Sequence, residues 1–167
     1  MTIRAAILAL SLVLAGAPAG ADGARTGPET GLPLPRYVSL NTDRANVRRG
    51  PGLSHRIDWV FVRRGAPLEV VAEHGHWRRV RDQDDVGGWI HHALLRGART
   101  AVVTATPEAL LRDEPEPDAD LAARAETGAI GRLEACRAAW CLFEADGVEG
   151  WVEKRAIWGV APEERFD

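Results

Sequence analysis

The sequence lacks most of the features that identify a small enzyme. It contains no G-x-S-x-G, H-E-x-x-H, phosphate-loop or dinucleotide-binding motif, which argues against the enzyme classes built on them. Its only tyrosine is Tyr37, so a tyrosine-lined groove for proline-rich peptides is disfavoured. All five histidines lie in residues 55–92 and both cysteines lie beyond residue 135, which separates any cysteine nucleophile in sequence from a histidine base.

The N-terminus has the pattern of a secretory signal peptide. One arginine, Arg4, precedes a mostly apolar run over residues 5–14, and small residues lead up to Ala21. The run is shorter than the about 20 residues that span a bilayer, although a buried N-terminal helix is an alternative interpretation. We expect a signal peptide over residues 1–21, export to the periplasm or beyond, and no membrane span after cleavage. Residues 22–35 are rich in Gly, Pro, Thr and Glu and predict a flexible leader.

The remainder of the chain repeats one pattern. Residues 68–95 read LEVVAEHGHWRRVRDQDDVGGWIHHALL, and residues 131–158 read GRLEACRAAWCLFEADGVEGWVEKRAIW. Trp77 matches Trp140, and Trp89 matches Trp151. A repeat of this length is a small domain. We therefore expect a first domain over residues 36–98, a second over residues 99–161 and a C-terminal tail over residues 162–167.

The two predicted domains differ in charge. Residues 36–98 hold 11 arginines and 7 carboxylates, whereas residues 99–161 hold 7 cationic side chains and 12 carboxylates. The halves either face each other electrostatically or diverged independently on solvated surface. A net charge of +4 on one half of an exported protein is a weak footprint for nucleic acid, which is not an expected partner.

Short apolar segments separated by turn residues predict an all-β fold. In the first domain we expect strands near residues 39–48, 57–62, 68–73, 77–81 and 88–90, followed by a helical turn at 91–95. Residues 57–62 are apolar on both faces, which is typical of a strand buried on both sides.

The ordered motifs resemble a known family. ANVRRGP, the W-x-x-V hairpin and GWI are similar to bacterial Src-homology-3-like (SH3-like) domains. The joint HALLRGARTAVV, the C-x4-C hairpin and the terminal AIWGV resemble a secreted tandem family of such domains. The resemblance covers residues 34–160 and implies two tandem small SH3-like β-barrels of five to six strands each. It also implies non-catalytic modules that bind cell-wall peptides or position enzymes at the wall.

Cys136 and Cys141 flank a predicted hairpin turn. Glu73 and Arg78 occupy the matching positions of the first copy, and an opposite-charge pair suits facing strands. In an oxidising compartment the spacing predicts a disulfide, with a reactive thiol or a metal site as alternatives. No cofactor is expected. The histidines and the RDQDD run of residues 81–85 match no metal-binding spacing, so exposed turn residues are the interpretation we favour for them.

The copies differ most in one loop, which reads RRGPGLSHR over residues 48–56 and DEPEPDAD over residues 113–120. The candidate ligand groove of the first copy contains Arg48, Arg49, His55, Arg56 and Trp59. The arginines could meet a peptide carboxylate, and Trp59 has only Ala122–Ala123 as its counterpart. Trp59 either lines this groove or packs between the domains, with Trp158 as its neighbour.

Three functions follow from these patterns. The leading one is a non-catalytic binding or scaffold module of the bacterial envelope that contacts peptidoglycan peptides or a wall-associated protein. The second is a protein-interaction regulator of an exported enzyme, without affinity for the wall. The third is a small cell-wall hydrolase, because a carboxylate pair needs no local motif.

Overall fold

The prediction of an all-β fold is confirmed. A computed structural model describes residues 25–167, so the predicted signal peptide and residues 22–24 lie outside the described chain. Two seven-stranded antiparallel sheets account for the described fold, together with one two-stranded hairpin. The helices of residues 25–167 are two 3-10 turns, His92–Leu94 and Lys154–Ala156, and neither is long and apolar enough to cross a membrane.

The first sheet has the strand order β5-β4-β8-β7-β6-β3-β9. Its strands are β3 (Arg36–Leu40), β4 (Ala45–Arg48), β5 (Ile57–Phe61), β6 (Pro67–His74), β7 (Trp77–Arg81), β8 (Gly87–His91) and β9 (Leu95–Arg96). The single strand predicted over residues 39–48 is wrong, because the chain turns between β3 and β4 through a hydrogen-bonded segment at Thr42 and Arg44.

The second sheet repeats this plan with the order β12-β11-β15-β14-β13-β10-β16. Its strands are β10 (Thr100–Val103), β11 (Glu108–Arg112), β12 (Leu121–Glu126), β13 (Ile130–Cys136), β14 (Trp140–Ala145), β15 (Val148–Glu153) and β16 (Ile157–Trp158). Seven strands stand in each sheet, where the resemblance implies five or six. The two-residue strands β9 and β16 add to the number by pairing back onto β3 and β10. No hydrogen-bonded strand pair within residues 25–167 closes either sheet, so barrel closure stays a prediction.

Alternating apolar residues give each sheet one buried face. In the first domain Leu40, Leu68, Val70, Val80 and Ile90 are at most 2% exposed. The second core contains Val103, Leu111, Leu133, Phe143 and Val152, together with the two cysteines. Intervening residues on the same strands face outward, and that outer face carries the candidate site.

The two domains meet at an aromatic joint. The rings of Tyr37 and Trp158 pack edge to face with centroids 5.3 Å apart. The Arg99 guanidinium lies 5.6 Å from the Tyr37 ring centre and 5.2 Å from that of Phe166. Such aromatic and cation–π contacts contribute about 1 kcal/mol each beyond the apolar area that they bury. Trp158 therefore packs on Tyr37 of the first domain, and the predicted contact between Trp158 and Trp59 is not formed.

The structure corrects the prediction of a flexible leader. Within it β1 (Arg25–Thr26) and β2 (Pro33–Leu34) form a hairpin. The Glu73 carboxylate holds this hairpin, accepting hydrogen bonds from the backbone N–H groups of Glu29 and Thr30 at 3.0 Å and from the Thr30 hydroxyl at 2.7 Å. Composition alone missed this order because the acceptor lies about 40 residues further along the chain.

The same carboxylate is the centre of a buried ion-pair network. Glu73 is fully buried as a side chain and lies 2.7 Å from Arg36 Nη2 and 3.4 Å from Arg78 Nε. Burial raises the pKa of Glu73, but the hydrogen bonds from Thr30, Arg36 and the leader backbone outweigh it and lower the pKa to about 2. The charged form is therefore part of the folded structure.

Cys136 and Cys141 form the predicted disulfide. They face each other across β13 and β14, just as Glu73 faces Arg78 across β6 and β7. The two copies thus link the facing strands of this hairpin differently, by an ion pair in the first copy and by a disulfide in the second.

The C-terminal tail packs against the same hairpin. The backbone N–H of Cys136 donates to the Phe166 carbonyl oxygen at 2.7 Å, and the Phe166 N–H donates to the Cys136 carbonyl oxygen at 3.1 Å.

Replacing Glu73 with Gln will destabilise the first domain by about 3 kcal/mol, because Arg36 and Arg78 lose their buried counter-charge. Since folding lowers the pKa from 4.5 to about 2, the carboxylate contributes fully above pH 4.5, and its contribution is lost as the pH falls towards 2. Urea unfolding at several pH values measures the difference between wild type and Glu73→Gln, which should shrink over that range. The exposed Glu149→Gln is the matched control, and an equal loss there would contradict the assignment.

The double substitution of Cys136 and Cys141 by serine will lower the stability of the second domain by about 2 kcal/mol, since the closed loop is short. Denaturant unfolding of oxidised wild type and the double variant measures this difference. Ellman titration of unreduced, folded protein should detect no free thiol, and two titrating thiols would contradict the bond.

Candidate functional site

A row of three side chains crosses the outer face of the first sheet. Trp89 on β8 is paired with Arg79 on β7 and with Arg48 on β4. Residues directly opposite each other in antiparallel strands project to the same side of the sheet. The indole of Trp89 therefore lies between two arginines on one face.

This row lies in an open groove of about 620 Å³, called here the Trp89 groove. The groove is lined by residues of β4, β5, β6, β7 and β8, and four of its lining side chains are arginines against two aspartates. The lining residues are Arg48, Arg49, Asp58, Val71, Arg79, Val80, Arg81, Asp85, Gly87, Gly88 and Trp89. The positive excess and the aromatic floor suit a ligand with a carboxylate and an apolar part.

The arginines of the groove are held differently. Arg81 is neutralised by Glu69 and, at 2.8 Å, by Asp85. Arg48 Nη1 donates to the carbonyl oxygens of Leu53 at 2.9 Å and His55 at 2.6 Å, which fixes the side chain without neutralising its charge. Arg79 is exposed and forms neither an ion pair nor a side-chain hydrogen bond within residues 25–167. Arg48 and Arg79 therefore retain charge for a ligand on either side of Trp89.

The second domain has an equivalent row of three side chains, but the residues beside its tryptophan and the exposure of that tryptophan differ. Trp151 is paired with Leu142 and with Arg112, so Leu142 stands where the first domain has Arg79. Trp151 is only 9% exposed, and the Arg137 guanidinium covers its ring at 4.8 Å. The first domain has an open, cationic row, whereas the second has a covered row with one arginine fewer.

The residue that matches Arg137 in the first domain is His74. Its ring meets Trp89 edge-on with centroids 6.5 Å apart. An imidazole at that distance covers less of the indole than the guanidinium of Arg137, and Trp89 is correspondingly only half-buried. The open row therefore depends on two differences between the copies, His74 and Arg79.

The predicted site residues divide between two places. Arg48 and Arg49 line the Trp89 groove. Arg49 Nε and Arg56 Nε bind the two oxygens of Asp58 at 3.1 and 2.7 Å, and the hydrogen bond from Arg56, followed by that from Arg49, lowers the pKa of Asp58. Arg49 and Arg56 are thus partly neutralised at the groove edge.

His55 and Trp59 lie outside the groove. The His55 ring packs against the backbone of Gly50, where a side chain in place of the glycine hydrogen would approach it to 2.6 Å. Trp59 is 52% exposed and faces Val47 across β4 and β5. Packing of Trp59 between the domains, one of the two expectations, is wrong, because about half of its surface is exposed on the outermost strand of the sheet.

Sequence reasoning did not include Arg79 and Trp89 among the candidate ligand residues. Trp89 recurs as Trp151, which indicated that both tryptophans have the same structural role. The sequence does not show that Trp89 is more exposed than Trp151. The sequence could have pointed to Arg79, since the repeat aligns it with Leu142. Because an apolar leucine occupies the same repeated position in the second copy, packing of the fold does not require an arginine there.

Three imidazoles cluster beside this face. The rings of His76, His91 and His92 have centroid separations of 4.9 to 5.8 Å. His91 Nδ1 accepts a hydrogen bond from the Ala93 backbone, which uses one of its two nitrogens. Within residues 25–167 no group of three or more His, Cys, Asp or Glu side chains is placed to hold a metal ion.

Two all-β units of one plan, joined in tandem and with an open groove on the outer face of the first, define a class of small β-domain modules. The sequence model of the family described as "Bacterial SH3 domain" matches the chain twice, at residues 41–97 and 105–159. The chain belongs to the bacterial SH3 domain family.

Among curated proteins the chain is similar to a "Putative N-acetylmuramoyl-L-alanine amidase YrvJ" of Bacillus subtilis (strain 168). The two are 23% identical over 128 residues, which is 71% of this chain and 24% of that protein. The chain thus spans about a quarter of the length of this relative.

Among solved structures the chain is similar to NlpC2 and NlpC1 from Trichomonas vaginalis. The identities are 14% and 13%, and the TM-scores are 0.35 and 0.36. The matches cover 74% and 80% of this chain and 47% and 49% of those chains. Similarity at this level is too weak to support conclusions about fold or ligand.

Proposed function

We propose that this protein is a non-catalytic binding module of the bacterial envelope whose first domain binds peptidoglycan peptides in the Trp89 groove. The observation that carries the proposal is the row of Arg79, Trp89 and Arg48, in which an open tryptophan lies between two arginines, whereas the second domain has a covered Trp151 between Leu142 and Arg112. Cell-wall peptides carry free carboxylates next to small apolar side chains. The arginines would bind the carboxylates, and the indole would cover the apolar part.

Two further facts support a role at the wall. The family is a bacterial domain family, and its named relative is a putative amidase whose name denotes the linkage between muramic acid and a peptide. The Cys136–Cys141 disulfide suits an oxidising compartment, which agrees with the signal peptide predicted from residues 1–21. We infer export to the periplasm or the cell exterior, with two SH3-like barrels over residues 36–98 and 99–161.

The geometry gives little support to catalysis by these domains. The four arginines of the Trp89 groove stand against Asp58 and Asp85, and both carboxylates are already bound by arginines. A general acid would need a raised pKa, and the pKa of Asp58 is lowered instead. We infer a module that binds at the wall or positions an enzyme there.

Replacing Arg79 with Leu will weaken binding to purified peptidoglycan sacculi about tenfold at low salt, because one charge-assisted contact is lost. Co-sedimentation with sacculi measures the bound fraction. The fold should be unaffected within about 0.5 kcal/mol, since the second domain carries Leu142 at this position. Arg44→Leu removes an equal charge from an exposed position outside the groove and should bind like wild type. Recovery of wild type in the unbound fraction would contradict wall binding, and equal binding by Arg79→Leu would contradict the site.

The mature protein should leave no cleared band in zymography on cell-wall substrate, because the Trp89 groove offers no free carboxylate pair. A clearing zone at the protein's mobility that disappears on substitution of a carboxylate would establish the hydrolase alternative.

One observation favours the second hypothesis, a protein-interaction regulator. The outermost strand β5 exposes Ile57 and Trp59, and exposed apolar residues close together are typical of protein-binding surfaces. This surface adjoins the Arg79–Trp89–Arg48 row, since Ile57 is paired with Arg48, but Trp59 does not line the Trp89 groove.

A further inference from the structure

The β5 strand is an open edge of the first sheet. It is terminal in the strand order and pairs only with β4 within residues 25–167. Ile57 and Trp59 on the strand are 42% and 52% exposed, and Leu53 and Val62 beside it are also exposed. The expectation that this apolar strand is buried on both faces is therefore wrong. An exposed apolar edge is a template for pairing with another chain, and proteins normally protect such edges.

The second domain has fewer apolar residues at the equivalent edge, where Leu121 matches Ile57 but Trp59 and Val60 have no large apolar counterpart. Ala123 on β12 faces Leu111 just as Trp59 on β5 faces Val47. One residue further along each strand, β12 has Arg124 where β5 has Val60. The Arg124 guanidinium is paired with the Glu108 carboxylate, which places an ion pair over the edge. Since both edges have the same register shift after their first residues, the fold does not require the large apolar side chains of Trp59 and Val60.

Charge indicates what kind of chain would cover β5. Arg49 and Arg56 share the single carboxylate of Asp58 at one end of the strand. At the other end Arg63 donates to the carbonyl oxygen of Gly128 at 2.8 Å, and Asp82 and Asp84 line the same groove as Arg63. The positive excess therefore lies at the Arg49–Arg56 end, where it favours an acidic residue of the partner.

A second copy of this chain fits the edge poorly. Antiparallel pairing of two β5 strands about Trp59 would bring Arg56 of each copy close to Val62 and Arg63 of the other. The guanidinium groups would then approach one another at both ends of the pair, and like charges on facing strands are destabilising.

An apolar groove lies at the end of β5 and extends the edge. It has a volume of about 250 Å³ and is bordered by both domains. Its apolar lining residues are Val60, Phe61, Val62, Ala66, Pro67, Leu68, Val102, Ile130 and Trp158, and its polar lining residues are Arg63, Asp82, Gln83 and Asp84. A chain running along β5 could place one apolar side chain here, as an anchor beside the joint between the domains.

We propose that β5 binds an extended segment of a partner protein, which adds to the first sheet as an extra strand. The segment has apolar side chains at alternate positions, to pack on Trp59 and to enter the apolar groove beside Phe61, and an acidic residue to face Arg49 and Arg56. Main-chain hydrogen bonds to the free edge supply affinity, and the side chains supply specificity. Trp59 is the central contact, since tryptophan is the residue that most often dominates such interfaces.

The two proposed sites adjoin, because Arg49 and Asp58 line the Trp89 groove and Ile57 is paired with Arg48. Their central residues differ: Trp59 does not line the Trp89 groove, and Arg79 does not lie on β5. Failure of either proposal therefore leaves the other standing, and Arg79→Leu serves as a control for binding at β5.

The test uses a phage-displayed library of random twelve-residue peptides selected on the folded mature protein. We expect enriched peptides with alternating apolar residues and at least one acidic residue. Synthetic copies should bind Trp59→Ala, which installs the residue of the second domain, at least tenfold more weakly than wild type. Leu121→Ala, the matched change on β12, and Arg79→Leu should bind as wild type does. Amide hydrogen exchange should show new protection in β5 when the peptide is bound.

Several outcomes would overturn the proposal. They are the absence of enriched peptides, enrichment of basic peptides, equal binding by Trp59→Ala, and new protection elsewhere than β5. Sedimentation of wild type as a dimer that Trp59→Ala converts to a monomer would assign the edge to a second copy instead. Circular dichroism of Trp59→Ala confirms that the variant is folded, as expected for a change at an exposed residue.

Discussion

The close approach of two strands in each domain determines where the candidate site lies. A side chain at Gly88 would come within 2.6 Å of the Arg48 carbonyl oxygen, and one at Gly150 within 2.8 Å of the Leu111 side chain. Glycine at these positions lets β8 meet β4 and β15 meet β11. The tryptophan that follows each glycine is then paired with an arginine of the neighbouring strand. The rows of outer-face side chains in both domains depend on this contact.

The two domains share these strand pairings but differ in the side chains on their outer face and on their edge strand. The first has an open tryptophan between Arg48 and Arg79 and an apolar edge strand. The second covers Trp151 with Arg137 and places an ion pair on its edge. All ion pairs within residues 25–167 join groups of the same half or its adjoining tail. The opposite net charges of the two halves therefore form no ion pair between the domains. Within the first domain, Arg48 and Arg79 have no carboxylate partner among residues 25–167.

The sequence predicted the features that repetition and local chemistry determine. The all-β fold, the duplicated hairpin and the facing of Cys136 with Cys141 all follow from alternation and spacing. The leader hairpin could not be predicted, because it depends on a distant carboxylate, Glu73. The exposure of β5 was also missed: a strand apolar on both faces looks buried unless its place at the sheet edge is known. Likewise, Arg79 becomes a site residue only through its pairing with Trp89.

The central claim is that ligand recognition belongs to the open row of the first domain and not to its covered counterpart. Nuclear magnetic resonance of the isotope-labelled mature protein, titrated with soluble muropeptides from digested sacculi, tests this directly. The account predicts shifts of the Trp89 indole N–H and of the Arg48 and Arg79 side-chain signals, with the Trp151 indole unchanged. Shifts at Trp151 without shifts at Trp89, or no shift at either indole, would contradict it.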